Sequence, residues 1–474
     1  MVRNIEHIEI NDEIIKEIGR IADKNKFKVY VVGGYVRDKL LDRDVKDIDF
    51  TVIGDGIAFA ELVAKIFGNI NVVKFEKFGT AMLPLGDRNI EFVSAREESY
   101  EPASRKPKVK KSSVDADLAR RDFTINTLAA SVNKKEFGQV IDLFGGRKDL
   151  DDKIIRTPLE PEKTFNDDPL RILRAVRFAS KLQFQIDEST YSAIVKMKER
   201  LTIISQERIT DEFLKILTSP QPSVGLQLLQ KTGISNLIFL ELSEMSGVDQ
   251  RQDYHHKDVF LHTMKVVDSI SEYTEDVWLR FTALVHDIAK PRTKAFKAGI
   301  GWTFHGHEEI GARMMKNIFR RMRLPMDKMA YVQNLVRLHL RPMVLVSEEV
   351  TDSAIRRLLF ETGELIDDLM TLCRADITSQ NPQKVSRYLK NYEVVMQKMK
   401  EVEEKDRLRN WQPPVRGDEI MKICNLPPGK VVGILKKEIE NAILNGVIPN
   451  EHDPALEYLL KVKDDILSKL QIEL

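Results

Sequence analysis

Asp47 and Asp49 stand two residues apart in the segment Tyr30–Thr51, Y-V-V-G-G-Y-V-R-D-K-L-L-D-R-D-V-K-D-I-D-F-T. On an extended strand, residues i and i+2 face the same side with Cα atoms roughly 7 Å apart. Both carboxylates then share one face while Ile48 points into a core. Gly33 and Gly34 follow a short apolar strand, and a glycine turn lets the backbone approach a phosphate closely. Hard carboxylates beside such a turn suit magnesium-dependent phosphoryl transfer. Each part also has a plainer reading, since Gly-Gly is usually a tight turn and D-x-D is often a solvated polar face. The combination is less ordinary, because the acids interrupt an otherwise apolar run of Ile48, Phe50, Val52 and Ile53.

The pattern G-G-x-V-R-D-x-L-L followed by D-I-D-F resembles the signature of the class II nucleotidyltransferases, the family of bacterial tRNA nucleotidyltransferases (CCA-adding enzymes) and poly(A) polymerases. The resemblance implies a polymerase-β-like head in which Asp47 and Asp49 hold magnesium and Glu91, in the strand Asn89–Val93, supports them. It implies two-metal chemistry, with one ion activating an RNA 3′-hydroxyl and the other holding the triphosphate and the leaving pyrophosphate. Gly33, Gly34 and Arg37 would cradle phosphates. Leu118–Asn126, L-A-R-R-D-F-T-I-N, matches the family's R-R-D-F-T-I-N segment. There Arg120 and Arg121 can fork onto triphosphate oxygens, and Asp122 can accept from a ribose hydroxyl. The alternative is a capped helix start with surface arginines.

Asn166–Arg171, N-D-D-P-L-R, resembles the family's E-D-x-x-R element, which reads the incoming base with amino acids. Arginine only donates and aspartate only accepts. Cytosine and adenine both offer an exocyclic amine beside a ring-nitrogen acceptor, so Asp168 and Arg171, three residues apart on one helical face, complement either. Uracil and guanine present an oxygen to the carboxylate. Asp167 stands where the family has glutamate, which leaves its role open, and acidic capping of a helix N-terminus is a second reading of the element. Arg171, Arg174 and Arg177 form a positive stripe along the same helix and are further nucleotide-binding candidates. The stretch Glu98–Asp117, with Pro102, Pro107 and the basic run Arg105–Lys111, resembles the flexible loop of members with complete CCA activity.

A second constellation lies further along. Of nine histidines, six fall between His255 and His307. His262, His286-Asp287, His307, His339 and Asp376 follow the order H…H-D…H…H…D, which resembles an HD-type phosphohydrolase domain. Imidazoles with a bridging carboxylate suit a divalent transition metal that activates water. His305 is a near-equal alternative to His307, which the G-H-E setting favours. The resemblance implies phosphatase or cyclic-phosphodiesterase activity, or an RNA-facing scaffold.

The elements that must position these residues are legible in outline. Strands are expected at Val29–Val32, Ile48–Val52, Ala81–Leu85 and Ile90–Val93, with a helix over Phe59–Phe67. Beyond Pro158 and Pro161 the period becomes almost purely helical to the end, with breaks at Pro220/Pro222 and near Ser243–Asp253 and Asn391–Pro414. The fold class is therefore α+β, a mixed sheet with helices followed by an all-α remainder. A chain of 474 residues exceeds one core. The expected division is a head at 1–150, a helical neck and body at 151–245, an HD region at 246–385 and a tail at 386–474.

Hydrophobic content of 42% and charged content of 31% describe an ordinary soluble protein, and a net charge of +1 does not announce a nucleic-acid binder. No apolar run reaches membrane-spanning length, the N-terminus lacks a signal-peptide layout, and two distant cysteines, Cys373 and Cys424, fit a reducing cytoplasm. The expectation is a cytoplasmic enzyme that adds C, C and A to the tRNA 3′ end from CTP and ATP with magnesium, without a membrane. The alternatives are poly(A) synthesis, partial A addition, or hydrolysis at the HD region with an inactive head.

Overall fold

The structure, a computed structural model, describes residues 7–45, 47–86, 88–99, 108–248, 258–299, 301–347, 351–378, 381–406 and 413–472. The chain divides into two compact units, 1–240 and 241–474.

The first unit opens with α1 (Glu13–Lys24), which Asp12 caps by accepting from the backbone of Ile14 and Ile15. Next come β1 (Lys28–Val32), α2 (Gly34–Leu40), β2 (Ile48–Ile53), α3 (Gly56–Ile66), β3 (Val73–Phe75), β4 (Thr80–Leu85) and β5 (Arg88–Ser94). A hairpin of β6 (Arg96–Ser99) and β7 (Lys108–Lys111) follows, then α4 (Val114–Ala119), β8 (Ala129–Ser131), β9 (Val140–Ile141), α5 (Gly146–Asp151), α6 (Pro161–Asp167) and α7 (Leu170–Leu182). Seven strands form one mixed sheet in the order β3-β4-β5-β2-β1-β8-β9, in which only β2 and β5 run parallel.

Period-2 alternation separates core from chemistry along β2. Ile48, Phe50 and Val52 are fully buried, and Phe50 stacks on Phe92 of β5 at 5.1 Å while Phe59 of α3 meets Phe92 edge-on. Asp49 and Thr51 point to the other face. The stretch expected as a flexible loop is partly regular: the β6–β7 hairpin and α4 occupy its ends, and 100–107, with Arg105 and Lys106, lie outside the described residues.

In the second unit the helices that matter for chemistry are Val259–Ser271, Val277–Val285, His307–Met322, Met329–Leu338 and Ile366–Asp376. Asn391 itself lies inside the helix Pro382–Asp406; the break expected within Asn391–Pro414 falls later, between that helix and the one that starts at Gly417, partly outside the described residues. Tyr392, Val395, Met399 and Val402 are buried at spacings of three and four residues, so the apolar period carries across one asparagine. The region after Pro161 is almost purely helical, as expected, with short strand pairs besides. Strands Ala295–Lys297 and Gly301–Thr303 form an antiparallel ribbon, and Ile154–Ile155 pairs in parallel with Gln185–Ile186. Gly299 and Gly301, with φ of 81° and 93°, supply the ribbon's reversal.

Two candidate functional sites

Strand pairing gathers the acids of the first unit. Val32, at the end of β1, lies opposite Asp49, and Asp49 lies beside Glu91 in the parallel β2–β5 register. The Gly33-Gly34 turn therefore begins where the carboxylates begin. Asp47 lies one residue ahead of β2 and is exposed, while Asp49 and Glu91 are half-buried. All three line one cavity of about 750 Å³ with Gly33, Gly34, Arg37, Arg120, Arg121, Asp122, Asp168, Arg171, Arg174 and Arg177. Burial raises the Asp49 carboxyl above its ordinary range against the pull of Arg121, and the neighbouring charge of Asp47 adds to the rise. Glu91 rises for the same reason, first by burial and then by Asp49.

The basic residues of this cavity divide by what already holds them. Arg121 lies so close to Gly33 that a Cβ there would sit 2.8 Å from its Nη1, and Gly33 has φ +65°. Only glycine allows both the turn and that approach. Asp117, fully buried, holds Arg120 at 2.7 Å and Arg121 at 3.5 Å and accepts from Thr51 Oγ1 at 3.1 Å. Burial alone would raise Asp117; the two guanidiniums overcome it and hold the carboxyl low.

Arg37 is buried, donating to both oxygens of Asp38 at 2.8 and 2.7 Å and to Asn126 Oδ1 at 2.7 Å. Arg174 is bound to Asp122 at 2.6 Å, and Arg177 to Glu212 at 2.7 Å. Asp122 also accepts from Asn126 at 3.0 Å and from the Phe123 backbone at 2.9 Å. Despite burial, Arg174 brings its pKa down to about 2. These three arginines build the wall.

Asp168 sits between α6 and α7, where its Oδ1 caps α7 through Leu170 N at 3.1 Å and its Oδ2 meets Arg208 at 3.4 Å. Arg171 donates to the carbonyls of Arg120 at 2.6 Å and Thr164 at 3.3 Å. Capping and cavity lining thus coexist at this element. Asp167 closes α6.

The second unit brings its six ligand candidates together as two overlapping sets. The ligand atoms of His262, His286 and Asp376 lie within 4.8 Å of one another, as do those of Asp287, His307 and His339. Asp287 stands between them: its Oδ2 is 3.2 Å from His286 and 3.6 Å from His262, and its Oδ1 is 3.2 Å from His307 and 3.8 Å from His339. Each imidazole is oriented from behind. Nδ1 of His286, His307 and His339 meets the carbonyls of Ala283, Phe304 and Val336 at 2.8, 2.7 and 2.6 Å, and Nδ1 of His262 meets Thr378 Oγ1 at 2.9 Å. That fixes Nε2 inward as the ligand atom.

His286 Nε2 is buried without a hydrogen-bond partner, as a metal ligand's would be. Burial lowers the His286 pKa, but Asp287 and Asp376 outweigh it and raise the group to about 9. His339, buried beside His286, falls to about 3. Both carboxylates are held low against burial, Asp287 chiefly by His286 and Asp376 chiefly by His262. His305 is exposed and apart from the cluster.

Residues 29–156 match the family described as poly A polymerase head domain, 183–245 the probable RNA and SrmB-binding site of polymerase A, and 259–380 the HD domain. An A-adding tRNA nucleotidyltransferase of Deinococcus radiodurans is 30% identical over 425 residues, 87% of this chain and 90% of that protein. This chain belongs to the tRNA nucleotidyltransferase family. A multifunctional CCA protein of Nitrosococcus oceani is 31% identical, over 74% of this chain and 84% of that protein. The A-adding tRNA nucleotidyltransferase of Aquifex aeolicus is 37% identical over 57% of this chain, which spans 32% of that protein's length. A tRNA nucleotidyltransferase crystallised with a primer tRNA and an incoming ATP analog is 26% identical with a TM-score of 0.58, covering 80% of this chain and 99% of its own. The Bacillus stearothermophilus CCA-adding enzyme in complex with CTP shares the fold at 23% identity, with a TM-score of 0.69 over 96% of this chain and 98% of its own.

Sequence reasoning passed over the residues that hold the family's arginines. Asp117 carries a signal, standing three and four residues before Arg120 and Arg121 on a helical turn. Asn126, four residues after Asp122, is another local case. Glu212 and Arg208 come from a distant helix, Gln206–Leu217, and nothing local points to them.

Proposed function

We propose that the head adds C, C and A to the tRNA 3′ end from CTP and ATP, with magnesium and without a nucleic-acid template. The observation that carries this reading is one cavity in which Asp47, Asp49 and Glu91 meet Arg120, Arg121, Asp168 and Arg171. The names of the relatives and of the solved neighbours support the substrates. Asp47 and Asp49 would hold magnesium, with Glu91 behind them. When bound there, the metal supplies charge neutralisation at the phosphates and activation of the RNA hydroxyl.

The chain's own residues do the positioning. Gly33 and Gly34 open the backbone to the triphosphate, and Arg121, seated over Gly33 and anchored by Asp117, presents its guanidinium to the phosphates beside Arg120. Asp122 faces the ribose while Arg174 keeps it ionised. Arg37 and Arg177 brace the wall. Asp168 keeps acceptor capacity beyond its cap, and Arg171 uses two of its five N–H donors on carbonyls. That leaves both groups able to meet an amine and a ring nitrogen.

The second site is a divalent-metal centre of phosphohydrolase type, held by His262, His286, Asp287, His307, His339 and Asp376. We retain the division into a head at 1–150, a neck and body at 151–245, an HD region at 246–385 and a tail at 386–474. Two free thiols, Cys373 and Cys424, support a cytoplasmic setting, and among the described residues no helix is long and apolar enough to cross a membrane.

The test is incorporation of labelled CTP and ATP into tRNAs lacking CCA, ending in C, and ending in CC. Two C and then one A on the first, with synthesis stopping there, is the expected result. Addition only of A, only to the CC end, would reassign the chain to the narrower reaction that names the Deinococcus radiodurans relative. Long A tails would overturn tRNA specificity.

A further inference from the structure

From Ile288 to His307 the chain runs twenty residues without an acid and carries Lys290, Arg292, Lys294 and Lys297 among Phe296, Trp302 and Phe304. Part of this stretch forms the ribbon Ala295–Lys297/Gly301–Thr303, in which Phe296 lies directly opposite Trp302. The two rings meet edge to face at 5.3 Å and 74°. Both stay in solvent, Phe296 at 53% exposure and Trp302 at 37%. Lys294 Nζ lies 4.5 Å over the Trp302 ring, and Lys290 Nζ lies 5.7 Å from the centre of Phe304. Arg292 and Lys297 are exposed.

Cross-strand aromatic pairs stabilise hairpins, but that role calls for neither solvent-facing rings nor an acid-free run of cations. We propose that this ribbon is a stacking platform for the unpaired bases of single-stranded RNA. The edge-to-face contact covers one face of one ring and Lys294 lies over Trp302, so it is the ring surface left in solvent that a base's π-face can meet. Cations interleaved at this spacing meet the phosphates between successive bases. An acidic protein would match the charge but not the rings. The platform is tethered at both ends to the metal-ligand cluster, with Asp287 just before the run and His307 closing it. A strand stacked here is therefore delivered beside that centre. This last step rests on the phosphohydrolase reading, while the binding itself does not.

The test uses the full chain and a fluorescein-labelled hexacytidylate bearing one 5-iodocytidine, read by anisotropy and by photo-cross-linking with peptide mapping. Trp302→Val and Phe296→Val keep a strand-favouring side chain but remove the ring. Each should weaken binding about tenfold or more, and the wild-type cross-link should map to residues 295–304. Lys297→Gln, at an exposed position, should flatten the dependence of affinity on salt. Metal removal by chelator should leave affinity and cross-link in place; their loss would mean that the metal centre, not the ribbon, holds the RNA. Unchanged affinity in both Val variants, or cross-links confined to 1–240, would overturn the proposal. Polyglutamate competing as well as RNA, with the rings dispensable, would reassign the ribbon to acidic proteins. Ring-dependent binding of phosphatidylserine vesicles without ring-dependent RNA binding would reassign it to a lipid surface.

Discussion

The two candidate centres solve the same electrostatic problem in opposite ways. In the head, Asp47, Asp49 and Glu91 line an open cavity. Among the described residues, only the histidine cluster of the second unit gathers three ligand atoms within 4.8 Å. The head's carboxylates sit on a rigid sheet whose register sets their separation, and the remaining ligands of a metal would come from a triphosphate. In the second unit the candidate ligand set is closed and oriented by backbone carbonyls, and one carboxylate, Asp287, lies within 4 Å of four imidazoles. A site that meets its metal together with the substrate stays half-solvated. A site that holds its metal beforehand is buried and built from groups whose proton state the surroundings fix.

The sharpest break between the two follows from Asp49→Ala. Incorporation should fall about a thousandfold or more, with thermal stability and the metal content of the second unit unchanged. A loss of metal content would mean the centres are not independent. Asp287→Asn should do the converse. Removing the bridging charge should lower metal affinity about a hundredfold or more, read by metal analysis after dialysis, while CCA incorporation persists. Full metal occupancy in this variant would count against the shared-ligand geometry.

Asp122→Asn tests the wall in which Arg174 is held. The folded pKa of about 2 lies below the ordinary 3.8, so the carboxylate contributes stability above pH 4 that disappears as pH falls towards 2. The substitution should cost about 2 kcal/mol near neutrality, with the gap to wild type closing across that window. A constant gap would mean that lost packing, rather than charge, explains the cost. The smallest effect concerns selection. Arg171→Ala should loosen discrimination of CTP and ATP against UTP and GTP by about tenfold, with less change in turnover. A fall in turnover at unchanged selectivity would assign Arg171 to holding the Arg120 and Thr164 carbonyls instead.

Much of the head was legible because its chemistry is local. G-G, D-I-D and R-R-D are short, and the strand period alone puts Asp49 on the face opposite Phe50. Arg37, Arg174 and Arg177 line the same cavity, but what holds each of them was not legible. A sequence shows that an arginine is present, not whether Asp38, Asp122 or Glu212 already holds it. The break expected within Asn391–Pro414 begins later than its first residue, because the packing of Tyr392, Val395, Met399 and Val402 carries the helix over about three turns past one asparagine. In the second unit the order of histidines was readable, and so was the preference for His307 over His305. The threefold carbonyl support behind the rings was not, since it depends on how two helices end at His286 and His339 and how one begins at His307.

By itself, then, the sequence determined the α+β head with its helical remainder, the identity of both candidate ligand sets and the candidate residue types for phosphates. These follow from period, composition and spacing, which act over a few residues. Only the tertiary structure decided which arginines are committed to acids, that Gly33 yields its Cβ position to Arg121, that Asp287 stands between two ligand sets, and that Phe296 and Trp302 face solvent together. Each of those depends on side chains meeting at hydrogen-bond or van der Waals distance in the folded chain, some of them close in sequence and others, such as Arg174 with Asp122 and Arg121 with Gly33, far apart. Packing sets such meetings, and no local pattern encodes them.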